Sequence, residues 1–102
     1  MNLNKLMKQA QKMQEKMTRA QAELAEKTVE VQAAGGKITV VANGAGDVIS
    51  IKIAKEIVDP EDVEFLEDAV LSGVQEAIEQ GKAIASSEMS KITGGMEMPG
   101  LG

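Results

Sequence analysis

A chain of 102 residues with a net charge of −5, no cysteine and no histidine is the size of one domain. The two absences exclude a disulfide framework, thiol chemistry, and both the commonest transition-metal ligand and the commonest general base. A single aromatic, Phe65, stands against seven methionines and many alanines. Each buried side chain therefore removes little area from water, and the core of one copy is thin. Association with a second copy is the expectation that follows.

The total charge conceals a division. Residues 1–27 hold six bases against three acids, a balance of +3, while residues 28–102 hold five against thirteen, a balance of −8. The opening stretch has no continuous apolar core of the secretory kind, and no apolar run approaches the ~20 residues that span a bilayer. A soluble cytoplasmic protein with no membrane partner is expected.

Residues 3–27 predict one amphipathic helix. They contain neither Gly nor Pro and are rich in strong helix formers. Leu3, Leu6, Ala10, Met13, Met17, Ala20 and Leu24 follow one another at alternating spacings of three and four, a heptad seam suited to a helix–helix contact or to covering a sheet. From Thr28 the period changes to two. Val29 and Val31, then Ile38, Val40 and Ala42, then Ile49, Ile51 and Ile53 alternate with more polar neighbours. Gly35-Gly36 and Asn43-Gly44-Ala45-Gly46-Asp47 punctuate them as turns, with Asn and Gly expected to supply positive φ. Three short strands so joined predict an antiparallel meander with one apolar face.

Asp59 as N-cap and Pro60 as first helical residue predict a second long helix, reaching to about Lys91. Its early acids, Glu61, Asp62 and Glu64, suit the positive end of the helix dipole. Gly73, Ala77, Gly81 and Ala85 lie four apart within it. The glycines are either simply tolerated or form a row of small residues that another backbone approaches closely. On the second reading Leu66, Val70, Val74 and the row Gly73, Ala77, Gly81 hold two subunits together. The last stretch, 93–102, has four glycines and no periodicity, and reads as a flexible tail behind a single domain at 1–92.

Little in the chain carries catalytic chemistry. The G-x-G of the second turn lacks a third glycine and leads into a strand rather than a helix, so it is no phosphate cradle. The carboxylates from Asp59 to Asp68 match no calcium-loop spacing. The serines and threonines have no His or Cys to pair with as nucleophile and base. Neither an enzyme nor a cofactor, metal or small-molecule substrate is expected.

The most informative pattern is where the bases of the first helix point. At about 100° per residue, Lys5, Lys8, Lys12, Lys16 and Arg19 fall within a sector of about 80°, and from first to last they span about 21 Å. Duplex DNA carries one phosphate charge per roughly 1.7 Å of axis, so such a row can neutralise several phosphates. Single strands and RNA loops are usually held by stacking on aromatics, and one Phe cannot build such a platform. Backbone contact to double-stranded DNA is the better match, with little sequence preference.

Four segments in order give the chain a resemblance. They are the opening MNLNKLMKQAQKMQEKM, the segment AAGGKITVVANGAGDVISIKI, the stretch IVDPEDVEFLEDAVLSGVQEAI and the closing GGMEMPGLG. Together they resemble the YbaB/EbfC family of bacterial nucleoid-associated proteins over nearly the whole length. The resemblance implies a homodimer of α-β-β-β-α subunits of the α+β class, without enzymatic activity, located in the cytoplasm at the nucleoid. Its long helices would project like tweezer arms around duplex DNA. The rival expectation is a protein–protein interaction module, in which the seam of the first helix meets a partner and the lysines only keep it soluble.

Overall fold

The computed structural model describes residues 2–94. Five elements follow in chain order: α1 (Leu3–Glu26), β1 (Thr28–Ala33), β2 (Ile38–Asn43), β3 (Val48–Ile53) and α2 (Val63–Gly94). This is the α-β-β-β-α arrangement that the change of period predicts.

The strands form one antiparallel sheet in the order β1-β2-β3. Val31 opposes Val40 in one ladder, while Ile38 opposes Ile53 and Val40 opposes Ile51 in the other. Period two therefore brings Val29, Val31, Ala33, Ile38, Val40, Ala42, Ile51 and Ile53 onto one face. α2 lies across that face, mainly over β1 and β2. Val31, Ile38, Val40 and Ala42 are buried beneath it with Ala77 of the helix. β3 extends past the helix, so Ile51 and Ile53 share the apolar face yet stay exposed. An irregularity at Val41/Ala42 places Ser50 opposite Val41 and Val48 opposite Ala42, leaving Ile49 as the extra residue of a bulge.

The row of small residues on α2 faces this sheet. A Cβ on Gly73 would lie 3.0 Å from Cγ2 of Val40 and 3.4 Å from Cβ of Ala33, and one on Gly81 would lie 2.4 Å from the carbonyl oxygen of Asn43. Ala77 between them is fully buried. The close backbone approach expected of Gly73, Ala77 and Gly81 is thus made within the chain, and the subunit contact assigned to these three is corrected accordingly. A helix can reach a sheet of β-branched side chains this closely only where its own side chains are missing.

Three local expectations also change. α2 begins at Val63, because Asp59 spends its capping capacity on a preceding turn. Its Oδ1 accepts from the Glu61 N–H at 2.9 Å and its carbonyl from the Asp62 N–H at 2.9 Å. Asp62 supplies the cap instead, its Oδ1 accepting from the Phe65 N–H at 3.3 Å. At the other end α2 runs past Lys91 to Gly94, so the first two residues of the expected tail are helical. Residues 95–102 lie outside the described residues. In the β2–β3 turn only Gly46 has positive φ, at 92°. Asn43 ends a strand, and Gly44 is needed for space: a Cβ there would lie 2.9 Å from Cδ2 and 3.0 Å from the carbonyl oxygen of Leu24.

These contacts order the costs of adding a methyl group. Gly81→Ala drives Cβ into a backbone oxygen held by the sheet, and its expected destabilisation is about 3 kcal/mol, the upper part of the overpacking range. Gly73→Ala meets a valine methyl that yields by a few tenths of an ångström, at about 1 kcal/mol. Urea midpoints of the two variants test the order, and equal losses would contradict it.

Candidate nucleic-acid interface

α1 starts at an Asn2 cap, whose Oδ1 accepts from the Lys5 N–H at 3.3 Å, and runs unbroken for 24 residues. Only Ala20 and Leu24 are buried. Along the seam, cover falls away toward the N-terminus. Met17 and Met13 are half-buried, whereas Ala10, Leu6 and Leu3 are exposed, with Leu3 at 69 %. The helix is therefore anchored at its C-terminal end and extends from the body as an arm, within a molecule measuring 71 × 28 × 17 Å.

Lys5, Lys8, Lys12, Lys16 and Arg19 are all exposed on this arm. Among the described residues the ion pairs are Lys27–Glu88, Lys37–Glu56 and Lys91–Glu88, so none of the five is neutralised by a carboxylate. Helical period places Glu15, Glu23 and Glu26 on the same side of α1. Positive charge is thus concentrated from Lys5 to Arg19, with Glu15 at its margin, and the sign reverses toward the root.

The root is where the structure adds residues that the sequence did not single out. The β2–β3 turn caps the C-terminal end of α1. The Gly44 N–H donates to the carbonyls of Leu24 at 3.0 Å and Lys27 at 2.9 Å, and Asn43 Nδ2 donates to the Ala25 carbonyl at 3.2 Å. The Leu24 and Ala25 carbonyls belong to the last turn of α1, where helix-end carbonyls look outside the helix for partners, and Lys27 is the capping residue. Asn43 Oδ1 meanwhile accepts from the N–H groups of Ala45 at 3.0 Å and Asp47 at 2.9 Å. Asn43 is 5 % exposed, and such a buried amide is stable because both its ends are bonded. Lys27, just past the helix, donates through Nζ to Glu88 Oε1 on α2, with the Lys91 ammonium 3.6 Å from the same oxygen. Sequence spacing gave no sign of these pairings, since Lys27 and Glu88 stand 61 residues apart.

A second surface lies on the opposite end of α2. The uncovered part of β3 and the flank of the helix form an apolar cleft of about 450 Å³ lined by Ile53, Leu66, Glu67, Val70, Leu71 and Val74. Leu66, Val70 and Val74 of the expected subunit contact line it, joined by Leu71, which is 56 % exposed, and by Ile53. Leu71 follows Val70 directly in the chain, and Ile53 was expected on the apolar face of the sheet. Among the described residues no group of three or more carboxylates gathers as a metal site, and no helix is long and apolar enough to cross a membrane.

Residues 1–96 match the profile of the YbaB/EbfC DNA-binding family. A nucleoid-associated protein of Acetivibrio thermocellus is 54 % identical over 101 residues, covering 98 % of this chain and 89 % of that one. A nucleoid-associated protein of Alkaliphilus metalliredigens is 53 % identical over 100 residues, covering 98 % and 88 %. Among solved structures, an uncharacterized protein of Helicobacter pylori superposes with a TM-score of 0.63 at 15 % identity, over 76 % of this chain and 90 % of that one, a likeness of fold.

The hydrogen bond from Lys27, with the charges of Lys27 and Lys91, holds the Glu88 carboxyl below its ordinary range, against a smaller opposing effect of desolvation. A carboxyl depressed in the folded state adds stability above its unfolded pKa and loses it as pH falls through the folded value. Acidification through the carboxylate range is therefore expected to weaken the α1–α2 contact. Glu88→Gln should lose less thermal stability than the parent over that acid interval. Parallel melting curves for the two would exclude a contribution from this pair.

Proposed function

The chain belongs to the YbaB/EbfC DNA-binding family, and from that premise we propose that it binds double-stranded DNA at the nucleoid as a homodimer, without catalysis, through the cations of its α1 arms. The observation that carries this reading is the row Lys5, Lys8, Lys12, Lys16 and Arg19, exposed and without carboxylate partners on a projecting helix. A straight row about 21 Å long is enough to neutralise several phosphates of a duplex. It offers no stacking surface for unpaired bases, and contacts of this kind position a protein without reading sequence.

A second copy is supported by area. The chain exposes 7750 Å², whereas a compact monomer of 10.8 kDa exposes about 5,500 Å². The projecting arm accounts for part of the excess, and the β3–α2 cleft adds exposed apolar surface on the body. Ile51, Ile53, Leu66, Val70, Leu71 and Val74 form the subunit contact in this proposal, and a stable interface needs roughly 800 Å² from each partner.

The open end of the seam favours a second reading, a protein-interaction module that uses Leu3, Leu6 and Met7, all exposed.

Replacing the five bases together with Gln should leave helix content unchanged and abolish retardation of a duplex in a gel. Parent affinity should fall on the order of a thousandfold between roughly 50 and 200 mM salt if six phosphates are engaged. Retention of binding by the five-fold variant sinks the site assignment, and a salt-insensitive affinity sinks the phosphate mechanism. For the subunit contact, Val70→Glu with Leu71→Glu should convert dimer to folded monomer in light scattering. A dimer of unchanged mass moves the contact elsewhere.

A further inference from the structure

Asn43 is buried where α1, the sheet and α2 meet. Its carbonyl oxygen occupies the space beside Gly81 of α2. Its Oδ1 closes the β2–β3 turn through Ala45 and Asp47. Its Nδ2 reaches the Ala25 carbonyl of α1 at 3.2 Å, and is 3.5 Å from Asp47 Oδ2. The next residue, Gly44, adds two backbone bonds to Leu24 and Lys27 and touches Leu24 without room for a Cβ. We infer that Asn43, with Gly44, is the positioning site of the arm: it fixes the direction in which α1 leaves the body and so presents the cation row in one orientation. The inference rests on the DNA-binding reading above for its consequence, but not for its geometry.

The physical argument concerns leverage. α1 is about 36 Å long at 1.5 Å per residue, and its buried residues, Ala20 and Leu24, lie in its last two turns. A rotation of about 10° at the root displaces the far end by about 6 Å, more than three times the roughly 1.7 Å between phosphate charges along a duplex axis. Two arms that must meet one duplex together thus depend on a root that does not swivel. The Lys27–Glu88 pair spans the same joint, but an exposed ion pair between flexible side chains constrains direction weakly. Three bonds to the carbonyls of Leu24, Ala25 and Lys27 at the end of the helix, from a buried amide and a close-packed backbone, constrain it strongly.

The chain has no cysteine, so Gln9→Cys on the arm and Gln75→Cys on α2, both exposed positions, accept spin labels specifically. Labelled chain diluted in unlabelled chain reports the intrachain distance. The parent is expected to give one narrow distribution. Asn43→Asp keeps an oxygen for Ala45 and Asp47 but removes the donor to Ala25. It should at least double the width of the distribution and lower duplex affinity about tenfold, the change that accompanies loss of one to two hydrogen bonds. Its helix content should be unchanged, as should the dependence of log affinity on log salt, because the cations are the same. Gly44→Ala, which pushes on Leu24, should shift the mean distance, and it serves as the readout if Asn43→Asp fails to fold. A narrow, unshifted distribution in the folded variant overturns the inference, as does a broadened one with parental DNA affinity. A parent that binds no DNA overturns the functional reading instead, while the distance distributions still decide whether Asn43 fixes the arm.

Discussion

Where a side chain would begin on Gly81, the carbonyl oxygen of Asn43 already stands, 2.4 Å from the place a Cβ would take. Much of the architecture depends on that contact. It brings α2 down onto β1 and β2 so that Val31, Ile38, Val40 and Ala42 close a core with no aromatic in it. It also presses the end of β2 against the end of α1, because the residue whose carbonyl meets Gly81 is the one whose amide holds Ala25. A protein short of large side chains compensates for small buried areas by close backbone approach, and the glycines of α2 and of the β2–β3 turn are where that approach is made. Both helices are thereby referenced to one residue of the sheet.

The arm resolves a conflict in the charge. A body with a balance of −8 repels a polyanion, and a leading segment at +3 attracts it. At 0.1 M salt the Debye length is about 10 Å, and a row about 21 Å long outreaches it. Cations at the far end of α1 are screened from the acids of the body, while Glu23 and Glu26 near the root lie within their range. Extension thus does what composition does not, carrying the far end of the row, Lys5 and Lys8, beyond the distance over which the acids of the body act. Net charge is a poor guide to partner here because it averages over a length that solvent does not.

Local pattern made most of the fold legible. The seam spacing marked α1, the switch to period two at Thr28 marked the sheet, and the inward residues of β2 were read correctly because alternation leaves only two faces to choose between. Boundaries were less legible where two residues compete for one role, as Asp59 and Asp62 do at the start of α2. The small-residue row was read either as tolerated glycines or as a place of close approach, and sequence does not say which backbone approaches; the chain's own sheet proved to be the one. The exposure of Ile51 and Ile53 was not foreseeable either, since a helix about 10 Å across covers two strands spaced about 4.8 Å apart and not a third. Of the candidate interface, the cations could be placed on one side of a helix from period alone. The joint that aims them joins positions 25, 43, 81 and 88, a contact between segments far apart in the chain that no local pattern encodes.

The two partly covered apolar surfaces relate differently to the cation row. The β3–α2 cleft lies on the body, away from α1, so a second copy seated there leaves both arms free. The seam of α1 is on the arm itself, and helical period sets its centre about 130° around from the cations. A protein bound along Leu3 and Leu6 would therefore occupy a side of the helix away from the cations. DNA binding and protein interaction through α1 are compatible on geometry, and each adds a constraint on the other. A partner on the seam orders the exposed end of the arm, and removing that freedom beforehand reduces the entropy lost when a duplex is engaged. On the proposed reading the same helix would carry one surface whose strength falls with salt and another whose strength does not, and ionic strength would separate the two kinds of binding without altering a residue.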